Sequence, residues 1–160
     1  MTHDPGTGRQ PDSGAGTLAS LMARFGERQR LRAFRDRTWS ALSDLGLDRA
    51  HLIPHARKLL EELCERGHAG PYASPDALAV EFFLRATIEY PKMIGRPSSC
   101  RGLLMSAPRT LRAWQLVDRL DARLVEAGIE RIRASLRASL DSLEMHPADR
   151  RETLAQIAAL

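Results

Sequence analysis

The chain has 160 residues, of which 43% are hydrophobic and 28% charged, and its formal net charge is +4. That length fits one domain of ordinary size, and the composition excludes collagen-like, disulfide-dense and wholly disordered chains. No apolar run approaches the ~18 residues of a membrane span, and residues 1–16 lack the apolar stretch of a secretory leader, so a soluble, cytoplasmic protein is expected.

Residues 1–16 are rich in Gly, Asp, Ser and Pro and read as a disordered tail, with residues 17–160 as a single helical domain. From Thr17 the apolar spacing is helical. Leu18, Leu21, Met22 and Phe25 form a short stripe that Gly26 interrupts, and Leu31, Phe34, Ala41, Leu42 and Leu45 form a second. Gly46 suits a C-terminal cap and Asp48 an N-cap for the next helix, which runs to about Arg66 with Pro54 in its first turns. Ser74-Pro75-Asp76 then opens a third helix in which Leu78, Val80, Phe82, Phe83, Leu84 and Ile88 leave little of the circumference polar. It is expected at the centre of the core, and to stop before Pro91.

Residues 91–108 contain three prolines, two glycines and the pair Ser98-Ser99, which predicts a long loop. Pro108 is expected to start a long, kinked helix. Its stripe of Ala113, Leu116, Val117, Leu120 and Leu124 continues through Val125, Ile129, Ile132, Leu136, Leu140 and Leu143, in phase across Gly128. Pro147 ends it, and a short terminal helix follows. Period-two alternation is absent and β-branched residues are scarce. The fold class is all-α, a single-domain bundle of five or six helices. Pro75-Asp76-Ala77-Leu78-Ala79-Val80-Glu81-Phe82 resembles the Pro-Asp-His-Leu-type helix motif of the all-α chaperones that mature molybdoenzymes, with Ala77 where that motif has histidine. The resemblance covers eight residues and implies the all-α class.

Charge is distributed in blocks. Residues 24–37 hold six arginines against Glu27 and Asp36, residues 38–95 are net acidic, and residues 96–137 are basic again. Lys58 and Lys92 are the only lysines among 24 basic residues, a bias that points to a GC-rich, bacterial genome. Arg24, Arg28, Arg32 and Arg35 line one helix face, with Trp39 at its end. Such a ridge of like charges needs an offset. It would come from the chain's own Glu61, Glu62 and Glu65, from a protein partner, or from nucleic acid, whose phosphates would take the guanidiniums while a base stacked on the indole.

The second candidate is the loop, with Arg96, Ser98, Ser99, Cys100 and Arg101 able to face an anion and Met93, Ile94, Leu103 and Leu104 flanking it. These apolar residues either pack the loop onto the helices or offer an adaptable surface to a partner. Arg96 and Arg101 would also lower the pKa of the Cys100 thiol. His51, His55, Cys64 and His68 do not make a metal site, since His55 and Cys64 fall on opposite faces of one helix, and Glu65–His68 is a single copy of a di-iron half-motif. No cofactor fingerprint and no set of nucleophile, base and oxyanion donors is present. The expectation is a non-catalytic interaction protein, an adaptor, chaperone or accessory subunit, that binds another protein and is compatible with homo-oligomers. A helical nucleic-acid-binding protein is the alternative, and an enzyme using Cys100 a weaker one.

Overall fold

The computed structural model describes Thr2, residues 13–69 and residues 74–160. Among these lie six helices: α1 (Ser13–Asp44), α2 (Pro54–Ala69), α3 (Pro75–Leu84), α4 (Cys100–Leu116), α5 (Ala122–Asp141) and α6 (Pro147–Ala158). Short 3₁₀ turns at Arg49–His51, Pro91–Met93 and Pro97–Ser99 connect them. The described residues contain no strand, and one bridge pairs Leu52 with Ile94. The chain is an all-α bundle. Of the tail expected over residues 1–16, residues 1 and 3–12 lie outside the described residues, and residues 13–16 already belong to α1.

The centre is α3. The Ser74 hydroxyl accepts the Ala77 N–H at 3.3 Å, and Pro75 takes the first position, where a missing N–H is tolerated. Leu78, Ala79, Val80, Phe82, Phe83 and Leu84 are all buried because α1, α2 and α5 pack on this one helix. A segment apolar around most of its circumference is stable only when enclosed in this way. It widens into a π-type turn at Arg85–Glu89, closed by the Tyr90 N–H donating to the Arg85 carbonyl at 2.8 Å, and stops ahead of Pro91.

Gly46 ends α1 with the paired bonds of a Schellman motif: Leu47 N–H to the Leu42 carbonyl and Gly46 N–H to the Ser43 carbonyl, both 2.9 Å. Its φ of +91° is left-handed, and Leu47 beyond it is fully buried. Asp48 follows, its backbone N–H donating to His51 Nδ1 at 2.9 Å.

Two expectations are corrected. The long helix through residue 143 is instead a hairpin of α4 and α5. Asp118 closes α4 in the left-handed region at φ +56°, with Arg119 N–H on the Trp114 carbonyl and Asp118 N–H on that of Gln115. Asp121 then N-caps α5, its Oδ1 accepting from the Arg123 N–H at 2.7 Å. This is the same capping geometry as at Gly46, built without glycine, because aspartate is among the few residues that tolerate the left-handed region. The turn resets the helical phase. Leu116, Val117 and Leu124 therefore face solvent, and Leu143 lies exposed beyond the end of α5. Gly128 is not a break but a close contact, buried against Leu111, Leu84 and Val80.

The loop over 91–108 is also shorter than expected, since α4 begins at Cys100. Pro108 sits buried inside α4 rather than at its start. An interior proline costs about 3 kcal/mol, and the helix persists because Leu104, Ala107, Leu111 and Trp114 bury one continuous face.

The two left-handed caps make opposite predictions. Gly46→Ala would place a Cβ 3.0 Å from Leu103 Cδ2 on a left-handed backbone, and should lower stability by about 1–2 kcal/mol. Asp118→Gly should raise it by up to about 1 kcal/mol as strain is relieved. Urea midpoints of the two variants against the parent chain check both signs.

Candidate functional site

The structure treats the two basic blocks differently. In the second block, Arg112 pairs with Glu126 at 3.3 Å, Arg119 with Asp76 at 2.9 Å, Arg131 with Glu81 at 2.9 Å and Arg133 with Glu130 at 2.6 Å. Arg119 also lies over the Trp114 ring and pairs with Asp44, tying the end of α1 to the start of α3. Glu81 is held from two sides, by Arg85 at 2.8 Å and by Arg131. Burial pushes its carboxyl upward, but the two guanidiniums outweigh this and hold it below the usual carboxylate range. It separates two shallow grooves, one of about 190 Å³ bordered by Leu59, Leu63, Phe82 and Met93, the other of about 440 Å³ bordered by Val80, Leu120 and Leu124. Its charge is already met, so neither groove gains a free acid or base from it.

Among the described residues, by contrast, no arginine of the first block has an ion-pair partner. Arg24, Arg28 and Arg32 are exposed. Arg35 is half-buried and near enough to Cys64 to act on its thiol, although burial prevails and raises that thiol's pKa. Glu61, one of the acids expected to face the ridge, pairs with Arg49 at 3.8 Å. Trp39 is not an open stacking platform. It is half-buried, and the Arg49 guanidinium covers its ring at 4.5 Å.

The loop residues divide. Ile94, Cys100 and Leu104 are buried, Met93 and Leu103 are half-buried against the core, Ser99 is intermediate, and Arg96, Ser98 and Arg101 are exposed. The apolar flanks thus pack the segment down, with Ile53 N–H donating to the Met93 carbonyl at 3.0 Å and Gly95 N–H to that of His51 at 2.7 Å. Cys100, Arg101, Leu103 and Leu104 belong to α4, not to a loop. Burial raises the Cys100 thiol, opposite to the lowering expected from Arg96 and Arg101. No group of three or more metal-ligating side chains occurs among the described residues, and no described helix is long and apolar enough to cross a membrane.

An uncovered apolar stripe lies elsewhere, on the first half of α1. Leu18, Leu21, Met22 and Phe25 are 60%, 56%, 68% and 62% exposed. The helix runs unbroken through Gly26, where a Cβ would meet nothing within 4 Å. At about 100° per residue this stripe points roughly 170° away from Phe34, Thr38, Ala41, Leu42 and Leu45, which face the core. One straight helix cannot turn both stripes to the same bundle. Arg24, Arg28 and Arg32, which have no ion-pair partner among the described residues, run along one edge of the exposed stripe, so the arm presents an apolar strip with a basic margin. The signal was present in the residue spacing, but an expected break at Gly26 separates the two stripes and hides their opposition.

In comparisons with known proteins, no family model, no curated protein and no solved structure matches this chain.

If the exposed stripe contributes nothing to the bundle, Leu21→Asp with Phe25→Asp should leave folding stability within about 0.5 kcal/mol of the parent. Leu42→Ala, on the core side of the same helix, should cost about 2–5 kcal/mol. Chemical denaturation of the two variants tests this division of α1.

Proposed function

We propose that this chain is a non-catalytic protein-interaction module, an adaptor, chaperone or accessory subunit whose docking element is the amphipathic arm of α1. The observation that carries the reading is the uncovered stripe of Leu18, Leu21, Met22 and Phe25 on the side of the helix opposite the core. Contiguous exposed apolar side chains on a soluble surface mark interaction sites more often than scattered ones do, and a helix carrying anchors at i, i+3, i+4 and i+7 suits groove or helix partners. The flanking arginines add orientation and rate to such an encounter. The packed 91–108 segment gives this role less support than the sequence expectation assigned to it. A photo-crosslinking residue in place of Met22, introduced in the native host, should yield a covalent protein adduct that a crosslinker at Glu27 on the opposite face does not. The adduct should vanish when Leu21→Asp is added. A chain that forms no adduct from position 22 under any growth condition overturns the reading.

A second reading rests on a separate observation, the ridge of Arg24, Arg28 and Arg32, which has no ion-pair partner among the described residues. In this reading the ridge takes nucleic-acid phosphates, with the apolar stripe uninvolved and Trp39 contributing little because Arg49 already covers it. Binding to duplex or single-stranded DNA should then weaken steeply with salt, and Arg28→Glu with Arg32→Glu should abolish it while Leu21→Asp leaves it unchanged. Retention that is insensitive to salt, or lost on Leu21→Asp, removes this alternative.

A further inference from the structure

We propose that the partner of the α1 arm is an acidic amphipathic helix belonging to another protein. Its apolar face covers Leu18, Leu21, Met22 and Phe25, and its carboxylates, four residues apart, run along Arg24, Arg28 and Arg32. The proposal rests on the reading of the arm as a protein-docking element and states the chemistry of what docks there.

Charge along the arm is one-sided. At about 100° per residue, Arg24, Arg28 and Arg32 stand about 110°, 70° and 30° to one side of the centre of the stripe. On the other side, at about 90°, 30° and 70°, stand Gly26, Gln29 and Ala33. Arg30 lies farther round, at about 130°, and Glu27 falls on the far face. All three arginines of the row are exposed, and none forms an ion pair among the described residues. Guanidiniums one turn apart repel one another. Carboxylates brought to this edge therefore gain both from the pairing and from relief of that repulsion.

Spacing selects the form of the acidic surface. Four residues at 1.5 Å each set successive arginines about 6 Å apart along the axis, and Asp or Glu at i, i+4 and i+8 of a facing helix repeats at the same interval. The apolar anchors at i, i+3, i+4 and i+7 suit the same kind of partner. An anionic lipid surface would reward cations on both edges of the stripe, yet Gly26, Gln29 and Ala33 supply none. Nucleic acid would take the arginine row and leave the apolar stripe in water. A surface that is apolar in the middle and acidic along one side meets both.

The same pattern sets direction. Residues 13–23 carry no ionisable side chain, and the arginine row closes on the stripe toward Arg32. The acids of the partner therefore lie beside the Phe25 end of the stripe, and its uncharged turns beside Leu18. A contact of four apolar side chains and three rim charges is small, which places it among reversible, salt-sensitive encounters.

The test begins with the adduct formed by a photo-crosslinking residue in place of Met22, mapped by mass spectrometry. A synthetic peptide of the mapped segment is then titrated against the purified chain by fluorescence anisotropy. The segment should carry Asp or Glu at four-residue spacing beside its apolar positions. Its dissociation constant should be roughly 1–100 µM in 0.1 M salt, rising about three- to tenfold in 0.5 M salt as the charges are screened. Arg28→Glu with Arg32→Glu should weaken binding by about tenfold or more, and lysines in place of the acids of the peptide should restore it to that variant. Arg30→Glu with Arg37→Glu, an equal change of charge elsewhere on α1, should cost less than about threefold. Leu21→Asp should abolish binding to every peptide, with circular dichroism of all variants matching the parent.

A mapped segment without acids, an affinity indifferent to salt, or equal losses from the two charge reversals overturns the proposal and leaves the docking reading intact. No protein adduct from position 22 removes both. Cosedimentation with phosphatidylserine vesicles that Leu21→Asp abolishes would then assign the stripe to a lipid surface instead.

Discussion

A straight helix offers each residue one direction, and in α1 that geometric constraint decides what the rest of the molecule can cover. Phe34, Thr38, Ala41, Leu42 and Leu45 point into the bundle and anchor the helix on α3. Once they do so, Leu18, Leu21, Met22 and Phe25 must point away from it, whatever the other five helices do. The exposed stripe is therefore a consequence of continuity through Gly26 and not a gap in packing. A glycine break there would have let the first turns fold back, at the cost of the helical hydrogen bonds across it. The uninterrupted arm instead holds its apolar strip outward, an arrangement that would lower the ordering cost of binding in the docking role proposed above.

The arrangement of charge follows the same division. Five arginines of the second block, Arg112, Arg119, Arg131, Arg133 and Arg137, are paired within the bundle. Arg119 joins α1, α3 and the α4–α5 turn, and Arg131 joins α5 to α3 through Glu81. Such partly exposed pairs add modest stability each, yet together they fix how helix ends meet. The arginines of α1 before Arg35 form no ion pair among the described residues. Two blocks of similar composition thus have different physical roles, one internal and cohesive, the other external and available.

Helix ends show a related contrast between residue type and geometry. Gly46 and Asp118 occupy equivalent left-handed positions with equivalent backbone bonds, although only the first carries an evident sequence signature. Pro108 carries the opposite message, a strong breaker that the surrounding core overrides. Local propensities of about 1–3 kcal/mol are decided against when a continuous buried face supplies more.

What the amino-acid order determined by itself was the all-α class, the cap at Gly46, the Ser74-Pro75 start of α3 and the central burial of that helix. Each depends on neighbours within a turn or two, where residue type dictates backbone geometry directly. The hairpin at Asp118, the descent of Ile94, Cys100 and Leu104 into the core, and the pairing of Arg119 and Arg131 were decided by tertiary structure, because each depends on which distant helix supplies the opposing surface. The exposed stripe stands between the two. Its spacing was legible residue by residue, but its separation from the core became visible only when Phe34 and Leu42 were seen to be buried in the bundle, since outward is defined by what the other side of the helix touches.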